Sequence, residues 1–112
     1  ALLAGRAALK LGTGRVFVGL LADGPAVDLV QPELMLGPAQ HVIAKTGLQC
    51  IACGPGLGAS PAAQAALYEL LDLPVPLVLD ADALNALADR PRGVANAPPG
   101  AATVSGVSNG VA

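Results

Sequence analysis

The sequence predicts an α/β protein built on a parallel sheet, and three observations carry that prediction. Short apolar runs alternate with Ala/Leu-rich segments of helical character, the order that produces β-α-β units with right-handed parallel connections. The runs are nearly continuously apolar, as strands covered on both faces are. Gly and Pro, 14 and 10 of 112 residues, fall repeatedly between those segments, where tight turns require them.

Each element follows in order. Leu2, Leu3 and Leu9 fall on one helical stripe with Arg6 and Lys10 opposite, and Gly12 to Gly14 closes the segment, so a helix is expected over about 1–12. Residues 15–21 (RVFVGLL) read as a strand, after which Asp23-Gly24-Pro25 turns the chain. Residues 27–30 (VDLV) are a second, shorter strand candidate, and 32–35 (PELM) read as punctuation. A short helix is expected over 38–45, ending at Gly47, followed by a buried strand over 48–53 (LQCIAC). Gly54-Pro55-Gly56-Leu57-Gly58 then leads to Ser60 and Pro61, a capping residue followed by proline at the first helical position, and a helix to about Leu71. Residues 74–79 (PVPLVL) give a further strand ended by Asp80, and Asp82 opens another helix.

Composition narrows the function classes. With 54% hydrophobic and 12% charged residues the chain is globular rather than disordered and long enough for one domain. Six scattered bases (Arg6, Lys10, Arg15, Lys45, Arg90, Arg92) and two aromatic residues (Phe17, Tyr68) form neither a basic stripe nor a stacking platform, so no nucleic-acid partner is expected. No apolar run approaches the ~20 residues that span a bilayer and no signal segment precedes one; the expectation is a cytoplasmic chain with no membrane partner. The sequence opens without Met, already inside a helical pattern, which reads as cut from something longer. From Gly93 onward it is uncharged and aperiodic, so residues 1–92 are expected as the structured part and 93–112 as a poorly ordered tail.

In open α/β sheets ligands bind beyond the carboxyl ends of strands, and both the glycine loop and Asp80 fall at that edge. Glycines allow close backbone approach, and residues 58–61 supply the amides of a helix start; the alternative is a plain turn. Asp80 at a strand terminus can serve a metal, a water or a ribose hydroxyl, whereas Asp82 reads as a helix N-cap. Cys50 and Cys53 form a C-x-x-C on a strand with no second pair for zinc, so two buried thiols are expected. Lys45-Thr46-Gly47 lacks the companion motifs of a β-lactamase and reads as chance. His41 is expected at the surface or half-buried rather than in catalysis, and nothing local assigns Glu33.

Four segments in order, ALLAGRAALKLGTGRV (1–16), PELM (32–35), GPGLG (54–58) and LVLDADALNALA (77–88), resemble the ADP/ATP-dependent NAD(P)H-hydrate dehydratases. That resemblance implies a partial three-layer ribokinase-like (Rossmann-like) parallel sheet with flanking helices, of which 1–92 would be the N-terminal part. It implies repair of hydrated NADH and NADPH: ADP or ATP phosphorylates the hydrate hydroxyl, and phosphate then leaves. Gly54, Gly56 and Gly58 would approach the hydrated dinucleotide, and Asp80 and Asn85 would line the same cleft, with Mg2+ as bridging ion. A fused or separate epimerase and a homo-oligomer of the full-length protein are further implications.

The chain also departs from that family. Members carry a later P-H-P-G-E stretch, for which Asn96-Ala97-Pro98-Pro99-Gly100-Ala101 looks like a degraded version with Pro98 in place of His and Ala101 in place of Glu. The family's lysine-glycine and G-x-G-D stretches, and a substrate-binding segment before Ala1, are not found, so no general base is offered and the isolated chain is expected to be catalytically silent. Two rival readings stand beside this one. Gly54-x-Gly56-x-x-Ala59 with Asp80 also fits the dinucleotide fingerprint of a dehydrogenase's NAD-binding half, and a truncated, non-functional gene product would expose an unpaired sheet edge.

Overall fold

The computed structural model describes residues 1–89; the expected tail 93–112, the boundary at 92 and the Asn96–Ala101 stretch lie outside them. The elements are α1 (Leu2–Lys10), β1 (Phe17–Leu20), β2 (Met35–Pro38), α2 (Ala39–Ile43), β3 (Ile51–Cys53), α3 (Pro61–Leu71), β4 (Leu77–Leu79) and α4 (Asp82–Ala88). Both strand pairs, β1–β2 and β3–β4, are parallel, so the α/β class holds. The strands form two separate pairs rather than one continuous sheet. The short helix α2 bridges the pairs: Ala39 packs against Gly19 of β1, and Ile43 joins the cluster of Cys53, Ala66, Leu67, Leu70 and Ala83. Among the described residues no helix is long and apolar enough to cross a membrane.

Helix α1 ends as its glycine predicts. Gly12 takes φ +95, its N–H donates to the Leu9 carbonyl, and the Thr13 N–H donates to the Ala8 carbonyl, the paired bonds of a Schellman stop. Its packing face differs from the expected stripe. Gly5 is buried against Val18 and Leu34, Leu3 is exposed, and Arg6 turns inward instead of standing opposite the apolar side. Arg6 does so because its guanidinium grips Asp28 through two hydrogen bonds of 2.7 Å. Asp28 is 4% exposed, and a buried carboxylate demands such a partner.

That ion pair also corrects the second strand. Residues 27–30 form no strand: Asp28 accepts the Val30 N–H at 3.1 Å, a local side-chain turn that competes with extended pairing, and Leu29 is 91% exposed. The partner of β1 lies instead at Met35–Pro38, in register Phe17 with Met35 through Leu20 with Pro38. It starts where the Met35 N–H meets the Val16 carbonyl and follows directly on Leu34, which is 2% exposed. Pro38 then serves both as the last strand residue and as the cap of α2, so the expected helix over 38–45 shrinks to Ala39–Ile43. The Arg6 hydrogen bonds hold the Asp28 carboxyl down to about 2, a shift reinforced by the Val30 N–H and opposed by burial.

The second pair is joined through α3, whose limits match expectation. Ser60 accepts the Ala63 N–H at 3.1 Å, Pro61 takes the first helical position and Leu71 the last. Ala63, Ala66, Leu67 and Leu70 form the buried stripe, and enclosing the Leu67 side chain, 1% exposed, contributes about 2 kcal/mol.

Candidate functional site

Strand β3 runs directly into the glycine loop. The Leu57 N–H donates to the Gly54 carbonyl at 2.9 Å across Pro55 and Gly56, and Gly56 has φ +72, the signature of a type II turn with proline first and glycine second. Gly54 is required for a different reason. It has φ +137, and a Cβ there would be driven into the carbonyl of Asp80. Gly56 stands beside the start of α1, where an added Cβ would lie 3.5 Å from the Ala1 nitrogen. Gly58, at φ +76, donates its N–H to Asp82 Oδ2 at 2.9 Å.

The opposing corner is equally fixed. The Asp80 N–H donates to the Cys53 carbonyl at 3.1 Å, which extends the β3–β4 pairing by one residue, and the Asp80 carbonyl accepts the Ala83 N–H. Asp80 Oδ1 accepts the Ala81 N–H at 2.8 Å. Ala81 has φ 47 and ψ −118, the one positive-φ residue other than glycine among the described residues; such a conformation costs about 1–3 kcal/mol and persists only where neighbours over-determine it.

The five residues singled out from sequence are thus placed as follows. Gly54 and Asp80 touch through their backbones, Gly58 is tied to α4, Gly56 faces α1, and Asn85 lies exposed on α4, one turn beyond Asp82 on the same helical side. Asp82 is the residue the sequence undervalued. It does not cap its own helix, which has Ala81 at the cap and no side-chain cap bond; it holds the glycine loop instead. The expectation that residues 58–61 present amides to a ligand is correspondingly narrowed, since the Gly58 N–H is engaged.

Depressions of about 400 and 290 Å³ open elsewhere. The larger is lined by Arg15, Phe17 and Lys45-Thr46-Gly47, with Lys45 Nζ 4.6 Å from the Phe17 ring centroid; the smaller includes Lys10 and Glu33. Only one of the two thiols is buried. Cys53 ends β3 and burial pushes its pKa up, whereas Cys50 precedes the strand and is exposed. His41 is exposed on α2, as expected. Among the described residues no group of three His, Cys, Asp or Glu side chains is placed to hold a metal ion.

Comparison with known proteins gives this corner a context. The bifunctional NAD(P)H-hydrate repair enzyme of Coxiella burnetii is 37% identical over 98 residues, covering 80% of this chain and 19% of its own. The protein of the same name from Mycobacterium tuberculosis is 42% identical over 69 residues, covering 60% and 14%. The ADP-dependent (S)-NAD(P)H-hydrate dehydratase of Neisseria meningitidis is 37% identical over 89 residues, covering 76% and 30%. The chain therefore spans less than a third of each of these curated relatives. No solved structure matches. The NAD(P)H-hydrate dehydratase family model matches residues 1–104, and with that extent of agreement the chain belongs to the NAD(P)H-hydrate dehydratase family.

Proposed function

We propose that this chain supplies one wall of the substrate cleft of a nucleotide-dependent NAD(P)H-hydrate dehydratase. The observation that supports it most is the union of two contacts at the carboxyl end of the β3–β4 pair: Gly54 against the Asp80 carbonyl, and Gly58 held by Asp82. Gly54 is buried against Asp80, so the backbone open to a ligand is that of the exposed Gly56 and Gly58; beside a strand-end acid it suits a ligand at the ligand-binding edge of an α/β sheet. Gly56 and Gly58 border the hydrated dinucleotide, the buried Gly54 serving beneath them to close the loop on Asp80 rather than to approach the ligand, and Asp80 and Asn85 line the same cleft. The dehydrogenase reading is not favoured by the family match.

The reaction transfers the terminal phosphoryl group of ADP or ATP to the hydroxyl of hydrated NADH or NADPH, after which inorganic phosphate leaves and the ring double bond is restored. ADP has the better support, from the name of the Neisseria relative. This chain's share is orientation, the larger part of phosphoryl-transfer catalysis being positioning and charge stabilisation. Asp80 has committed one carboxylate oxygen to the Ala81 N–H. A Mg2+ arriving with the nucleotide would thus be offered one free hard oxygen here, by Asp80. The complete domain is assigned a three-layer ribokinase-like sheet, and the word bifunctional in two relatives' names supports a second repair activity, an epimerase, fused or separate. The full-length protein is assigned as a cytoplasmic homo-oligomer.

The test is recovery of the reduced-nicotinamide absorbance from hydrated NADH by the intact protein with ADP, with ATP, and with neither. Nucleotide-dependent recovery is expected; equal rates in all three arms would overturn the proposal.

A further inference from the structure

The acid at the head of α4 is used in an unusual way. An aspartate at a helix start ordinarily accepts an amide of its own first turn, yet Asp82 reaches back 24 residues to the Gly58 N–H. The strained backbone of Ala81 makes this possible: it turns the chain between β4 and α4 so that residue 82 faces the glycine loop. The corner is held on both sides, by the Cys53 carbonyl accepting the Asp80 N–H and by the Asp80 carbonyl accepting the Ala83 N–H. Gly58, in turn, has a left-handed backbone that no side chain stabilises from within the loop, so its conformation depends on an external acceptor.

We propose that Asp82 is a positioning residue: it fixes the shape of the 54–58 turn through the Gly58 N–H without itself meeting the substrate. The role rests on the dehydratase reading above. A free loop at this point would sample other conformations, because three of its five residues are glycine and glycine has little intrinsic backbone preference. The bond to Asp82 therefore sets how much of the loop population is ready to receive a ligand, and its loss should appear in apparent affinity, which falls in proportion to the competent fraction.

Asn can still accept the Gly58 N–H through its side-chain oxygen, whereas Ala cannot, so the pair of variants separates the bond from the charge. In the intact protein, Asp82→Ala should raise KM for hydrated NADH about tenfold, the scale of one charge-assisted hydrogen bond, with kcat nearly unchanged. Asp82→Asn should restore KM to within about twofold of the original. Hydrogen exchange at the Gly58 amide, read by NMR, should accelerate in Asp82→Ala and not in Asp82→Asn. Unchanged KM in Asp82→Ala, an Asn variant as impaired as the Ala variant, or unaltered Gly58 exchange would each overturn the positioning role. A complete lack of nucleotide-dependent turnover in the unsubstituted protein would instead overturn the functional reading, while the Gly58 exchange would still report on the bond.

Discussion

The two strand pairs solve the same problem with different forces. In the β1–β2 half the connection from Leu21 to Leu34 contains no helix, and a half-buried ion pair between Arg6 and Asp28 fastens it to α1. In the β3–β4 half the connection is a capped helix whose apolar stripe closes over Cys53 and Ala83, and the strand ends are locked by backbone contacts that only glycine permits. Parallel pairing needs a long crossover in either case. The first half secures its crossover with charge and the second with apolar burial, so pH and core substitutions should act on them separately.

The largest expected effect is in the second half. Gly54→Ala forces a Cβ into the Asp80 carbonyl, and it should destabilise by more than about 3 kcal/mol in urea denaturation, with β3 separating from β4. Leu67→Ala should cost about 2–5 kcal/mol by the same measurement while leaving the Arg6–Asp28 contact in place. Acid should break the comparison in the other direction. The folded state holds Asp28 at about 2 against an ordinary 3.8, so the pair's contribution is complete above about pH 4 and is lost as pH falls towards about 2. Amides of β1–β2, including Met35, should exchange faster over that window while those of β3–β4 keep their protection, and Asp28→Asn should remove the difference. The smallest effect is Ser60→Ala, which deletes the bond to the Ala63 N–H and should cost about 1 kcal/mol by thermal unfolding.

Local chemistry explains which parts of the molecule are legible in the sequence. Ser60-Pro61 and Gly12 declare helix ends through their own side chains or lack of one, and both ends fall where those residues place them. The second strand is misread because residues 27–30 are the more β-like stretch, yet Asp28 in their midst is committed to Arg6, 22 residues away. A strand of four residues that includes Gly37 and Pro38 carries almost no periodic signal of its own. The strand-end rule brings the glycine loop and Asp80 to one edge. The Asp82 bond is invisible by comparison, because it spans 24 residues and depends on a left-handed alanine, and alanine gives no hint of that conformation.

The most direct measurement of the central claim, that the β3–β4 end faces the substrate, is NMR mapping of hydrated NADH on the isotopically labelled intact protein. Resonances of 54–58 and 80–85 should shift together, with those of Arg15, Lys45 and Gly47 at the 400 Å³ depression unmoved. Shifts confined to that depression, with the glycine turn unaffected, would contradict the account.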